Sequence, residues 1–188
     1  MEKLNREQAL ALLKKYNKEA FHLRHALTVE GVMKHYAATH GYEEDAEFWG
    51  IVGLLHDIDF ENWPDQHCAK APELLAEIDA PESLVHAVVS HGYGICSEVE
   101  PEHEMEKFLF ASDELTGLIW SYSLMRPSKS YKDMEVKSLK KKFKDKKFVT
   151  KCDREVIKKG FAMLGMEAAD VMECVIKGMQ EHKEELRF

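Results

Sequence analysis

The 188-residue chain is long enough for one domain, and its 45% hydrophobic and 32% charged residues are an ordinary mixture for a globular protein. Its apolar runs are too short to cross a bilayer, and the helical, charged start "MEKLNREQALALLKKYNKEA" has no signal-peptide apolar core, so a cytoplasmic protein with no membrane partner is expected. The net charge of −8 is uneven: residues 129–151 carry +7 and the remainder −15, which argues against an extended nucleic acid as partner and hints at an anionic ligand near the basic stretch, the alternative being a solvated helix face.

In chain order the pattern predicts helices throughout. Asn5 with Gln8 forms a capping box for a helix ending near Tyr16. A second helix spans about residues 18–40, with Val29, Val32, Met33, Tyr36 and Ala37 on a helical rhythm and Gly41 as its stop. A third covers 43–56 with Phe48, Ile51, Val52 and Leu55 on one stripe, followed by a loop with Trp63 and Pro64. Pro72 opens a short helix to about Ile78, and Pro81 opens another that ends near His91 and Gly92. Residues 104–124 are apolar nearly all round and should form a buried helix. "RPSKS" breaks the pattern at 126–130; a lysine-rich helix follows, then helices over 153–164 and about 167–186. The expected fold is all-α and single-domain, with a core over 18–125 and a helical extension, 126–188, packed on it. The four cysteines, Cys68, Cys96, Cys152 and Cys174, form no C-x-x-C pair and read as reduced thiols.

Ten histidines invite sorting by helix face. His25 shares a face with Val29, Val32 and Tyr36 and points inward, as a core histidine bonded to backbone or as a ligand. The segment "GLLHDID" ends an apolar run in His56, Asp57 and Asp59, and an ionisable side chain is costly to bury without a partner. Asp113 lies among Leu109, Phe110, Thr116, Gly117 and Trp120 and must be paired, protonated or metal-bound; Gly117 leaves room beside it. His91 shares its face with Leu84, Ala87 and Val88, whereas His86 falls with Glu82, Ser83 and Ser90 and meets solvent or a rim. His67 follows Trp63-Pro64 in the loop. His22, His35, His40, His103 and His182 have no such setting and are expected at the surface. Four imidazoles (His25, His56, His67, His91) and two carboxylates (Asp57, Asp113) suit one or two divalent metal ions, with iron, manganese, magnesium, cobalt, nickel and zinc not distinguished.

The order His … His-Asp … His … His … Asp, in the words "LRHALTVEGVM", "GLLHDID", "VVSHGY" and "FASDEL", resembles the HD superfamily of metal-dependent phosphohydrolases over about residues 20–125. "RPSKS" and "VKSLKKKFKDK" resemble a small bacterial subgroup of it. The resemblance implies an HD-type helical bundle in which His25, His56, Asp57 and Asp113 hold one ion, His67 and His91 add a second, and Asp57 bridges the two. It implies a hydrolase acting on a small phosphorylated substrate, a nucleotide or related ester, through a metal-activated water with a pKa near 7 in the best zinc case. Many two-metal members read His-Asp-Ile-Gly-Lys, with the lysine facing phosphate; here those last positions are Asp59 and Phe60. Arg126 and Lys129 are therefore expected to bind the phosphate, brought back by a bend after Trp120, and Asp59 or Glu61 to protonate the leaving oxygen. Two other classes remain open at this point: a di-iron HD-type oxygenase, and an inactive metal- or nucleotide-binding module.

Overall fold

The structure, a computed structural model, describes residues 4–150 and 152–181. Among these the chain is all-helical, with no β-strand and only an isolated bridge between Tyr93 and Ser97. The elements are α1 (Arg6–Tyr16), α2 (Ala20–Thr39), α3 (Ala46–Leu55), α4 (Ala71–Leu75), α5 (Glu82–Ser90), α6 (Glu104–Met125), α7 (Val136–Phe143), α8 (Arg154–Leu164) and α9 (Ala168–Glu181). The last helix expected from sequence runs on to Leu186, and its final residues, with His182, lie outside the described ones. No helix among the described residues is long and apolar enough to cross a membrane.

Helix α2 is the axis of the bundle, with α3, α6 and α9 packed against it. Residues 26–33 are buried without interruption, because those neighbours cover every side of the helix. That wrapping buries even Glu30, whose carboxylate is held by the Arg6 guanidinium, with Nη2 2.9 Å away, and by Lys34 Nζ at 3.0 Å. An unpaired carboxylate there would be strongly unfavourable. The Asn5–Gln8 capping box starts α1 as its residues predict. A second box starts α6: His103 accepts from Met105 N, and Glu106 Oε2 accepts from the amides of Glu102 and His103. His103 is thus a cap and not an idle surface residue. His35 also departs from the surface expectation: α9 covers it, and its Nδ1 meets Glu181 Oε2 at 2.7 Å.

Two close approaches decide how the helices pack. A Cβ on Gly53 of α3 would lie 2.9 Å from Val29 O and 3.0 Å from Glu30 N, so glycine lets α3 rest on the α2 backbone. A Cβ on Gly160 of α8 would lie 2.5 Å from Ala111 Cα, which brings α8 equally close to α6. Between α7 and α8, Arg154 donates to the carbonyls of Val149, Phe148 and Cys152 and knots the connecting loop. Within it Val149, a β-branched residue, is held at φ +45°.

Helix α6 runs unbroken to Met125, with Arg126 as its C-cap. The expected bend after Trp120 is absent. Thirteen residues of straight helix carry Arg126 about 20 Å along the axis from Asp113.

Gly160→Ala tests the packing. Alanine favours an isolated helix by about 1 kcal/mol over glycine, but the clash here is with backbone, which cannot swing aside. Overpacking of about 1–3 kcal/mol should win, and urea unfolding should show a lower midpoint with an unchanged slope.

Candidate metal centre

Four of the six expected ligands sit at element ends or in a loop, and two, His25 and Asp113, lie within helices. His56 closes α3 as its C-cap, and Asp57 follows at once. His91 closes α5, and His67 follows the turn Pro64–Gln66. Because Gly53 sets α3 onto α2, His56 arrives beside His25, and the packing of α6 on α2 adds Asp113.

The donor atoms form two groups around one carboxylate. Asp57 Oδ2 lies 3.5 Å from His25 Nε2 and 3.4 Å from His56 Nε2. His25 Nε2 is 3.1 Å from His56 Nε2 and 2.9 Å from Asp113 Oδ1, and His56 Nε2 is 3.4 Å from Asp113 Oδ1. On the other side Asp57 Oδ1 lies 3.5 Å from both His67 Nε2 and His91 Nε2, which are 3.1 Å from each other. Donors each about 2.1 Å from one ion stand about 3.0 Å apart at an octahedral edge and about 3.4 Å apart in a tetrahedron. His25, His56 and Asp57 on one side, and His67 and His91 with Cys68 on the other, are close enough to hold a metal ion.

Hydrogen bonds on the far side of each ring fix which nitrogen faces inward. His56 Nδ1 donates to Gly53 O at 2.7 Å, His91 Nδ1 to Val88 O, and His67 Nδ1 to Asp59 Oδ1 at 2.8 Å. With Nδ1 protonated in all three, the Nε2 lone pairs point into the site. Lone pairs of His67 and His91 facing each other at 3.1 Å repel unless a cation lies between them. The carboxylates ask for positive charge too. Burial opposes a proton on His56, but Asp57 and Asp113 outweigh it and raise its pKa. Burial likewise opposes charge on Asp57 and Asp113, yet the neighbouring imidazoles hold both well below the usual carboxylate range.

The remaining expectations fare differently. Asp59 is fully buried behind His67, with Oδ2 unpartnered, so it orients that ring and does not reach a leaving group. Glu61 accepts from the amides of Lys18 and Glu19 and caps the start of α2. Arg126 is paired with Asp133, 2.8 Å away, and lies over Tyr122, while Lys129 Nζ caps Leu124 O at 2.6 Å. Neither lines the cavity at the histidines. Lys137, Lys140 and Lys141 of α7 and Lys144 just after it line a separate shallow groove. His86 turns away to Glu106 Oε1 at 2.7 Å, as its face predicts.

The cavity over the donors, about 270 Å³, is rimmed by the exposed apolar side chains Phe21, Phe60 and Ile95, with Glu114 and Gly117 in its wall. His22, expected at the surface, lines it as well. Phe60 sets its ring edge-on to His67. Sequence reasoning passed over Glu114, whose pKa is raised by burial and by adjacent Asp113. It also passed over Lys159 of α8, whose Nζ lies 4.0 Å from the Tyr93 ring centre and 5.5 Å from that of Phe110 at the cavity wall. Lys159 follows His91 by 68 positions, so no local motif could announce it. Cys68 and Cys96 bring their sulfurs within 3.4 Å behind His91, and burial raises both thiol pKa values. Cys68 is a further donor atom near His67 and His91, although it lies on the Nδ1 side of His91.

No protein-family model, curated protein or solved structure matches the chain.

Asp57→Ala should remove most bound metal, since one carboxylate serves both groups; elemental analysis of protein purified anaerobically reads this directly. His91→Ala should move the stoichiometry from two towards one, and His86→Ala should leave it unchanged. Asp59→Asn should weaken metal binding on the His67–His91 side by about 10- to 100-fold, the usual effect of disturbing a ligand's own hydrogen bond. Glu61→Gln should leave metal binding as it is.

Proposed function

We propose that the chain is an HD-type metal-dependent phosphohydrolase acting on a small nucleotide or related phosphate ester. The observation that carries this reading is the division of the Asp57 oxygens between two donor groups, Oδ2 with His25, His56 and Asp113 and Oδ1 with His67 and His91. It fits a pair of divalent ions sharing one carboxylate, in the order of residues that the resemblance implies.

Divalent ions held there would lower the pKa of water and neutralise phosphate oxygens as charge builds. The protein's own groups supply the rest. The carbonyls of Gly53 and Val88 and the Asp59 carboxylate keep three imidazoles in a fixed tautomer and aim, so the donors need no reorganisation. Phe21, Phe60 and Ile95 narrow the mouth and limit water around a bound ester. With Asp59 and Glu61 engaged elsewhere, Glu114, which lines the cavity beyond the donor set, is the carboxylate proposed to protonate the leaving oxygen. The cations nearby are Lys159, which lies against Phe110 of the cavity wall, and Arg24, one residue before His25.

The test is metal analysis followed by a phosphate-release screen over nucleotides and simple esters with each divalent ion. Wild-type turnover that Asp57→Ala abolishes and Glu114→Gln lowers by about 10²-fold or more would support the reading, on the usual scale of a proton donor. Oxygen uptake with iron, and no phosphate release, would move the chain to the oxygenase class.

A further inference from the structure

We propose that a second cavity beside the metal centre binds the organic part of the substrate, and that this part is a flat aromatic ring of the nucleobase class, admitted over Gly117. The proposal rests on the phosphohydrolase reading for its account of the phosphate end. The ring pocket itself stands on separate observations.

The cavity, about 220 Å³, lies between α2 and α6. Phe21, His25, Glu114 and Gly117 belong to its wall and to the wall of the metal cavity, so the two cavities adjoin. Its far end is built for a flat ring. Arg24 lies over the Trp120 indole, its guanidinium carbon 4.7 Å from the ring centroid, and both side chains line the cavity. The Arg24 guanidinium makes no ion pair or hydrogen bond to any described residue, so its donors remain for a ligand's acceptors. Guanidinium beside an aromatic face suits a ring that stacks and also presents carbonyl or ring-nitrogen acceptors at its edge. An aliphatic chain would use the apolar wall and leave the arginine without a partner.

Gly117 is the gate. It sits inside the long helix α6, where glycine weakens a helix relative to alanine. A Cβ there would meet nothing within 4 Å, so packing does not demand the glycine. The space that a side chain would fill is the passage between the two cavities.

Gly117→Leu and Trp120→Ala, checked by circular dichroism for fold, test this in two ways. The first is the ratio of kcat/KM for the four ribonucleoside 5′-monophosphates to that for glycerol 3-phosphate, which has no ring. The ratio should fall by about 5- to 100-fold in both variants, the scale of one lost base-stacking contact. An unchanged ratio in Gly117→Leu, the variant with room to fold, overturns the proposal. The second is binding of the corresponding nucleosides, which carry no phosphate to hydrolyse, to the zinc-loaded protein, followed by ligand-observed NMR. Binding by the wild type that Gly117→Leu abolishes supports the ring pocket even if no ester is hydrolysed, in which case the phosphohydrolase reading alone fails. No nucleoside binding by the wild type, together with hydrolysis of glycerol 3-phosphate at least as efficient as that of the nucleotides, overturns the ring pocket and leaves the phosphohydrolase reading standing.

Discussion

A carboxylate whose two oxygens face two separate donor groups is the constraint around which the described helices are arranged. Asp57 can serve both sides only if the end of α3 lies close to α2, and Gly53, resting on the α2 backbone, holds it there. The same glycine supplies the carbonyl that anchors His56. One residue thus sets both the distance between helices and the aim of a donor. Helices α5 and α6 then complete the two groups with His91 and Asp113 from opposite sides.

Such a cluster is unfavourable in isolation, because burying two carboxylates and four imidazoles forfeits their hydration. The fold offsets this with ordinary means: a continuous apolar core around α2, and second hydrogen bonds that leave the ring nitrogens no alternative orientation. An ion bound there would couple metal binding to folding, because it would stabilise a geometry that the packing alone holds against repulsion.

Most of this was legible in the sequence wherever a signal was local. Helical rhythm, capping residues and proline positions located the elements, and facial sorting separated His91 from His86. Among the candidate ligand histidines, His25 and His91 stood out on apolar stripes and His56 at the end of an apolar helix, whereas His67 lay in a loop and was marked only by its place in the order of the motif. What failed depended on chain segments far apart. His35 looked exposed because α9, which covers it, lies more than 130 residues away. Asp59 and Glu61 follow the His-Asp pair in an irregular turn, where no helical period says which way a side chain points; one turned behind His67 and the other toward the start of α2. Arg126 lies away from the histidines because α6 continues straight past Trp120, and Pro127 is no reason for an earlier bend. A proline disturbs the residues just before it and cannot unwind a buried helix six residues upstream.

The glycines of α6 and α8 show how the same residue answers different demands. At Gly160 a neighbouring backbone lies too close for any side chain, so glycine is dictated by packing and its removal costs stability. At Gly117 no atom would touch a Cβ, and helix propensity favours alanine by about 1 kcal/mol. A sequence selected only for stability would not keep glycine there. Its presence in the shared wall of two adjoining cavities is the pattern expected where binding space, and not the fold, limits the choice of side chain.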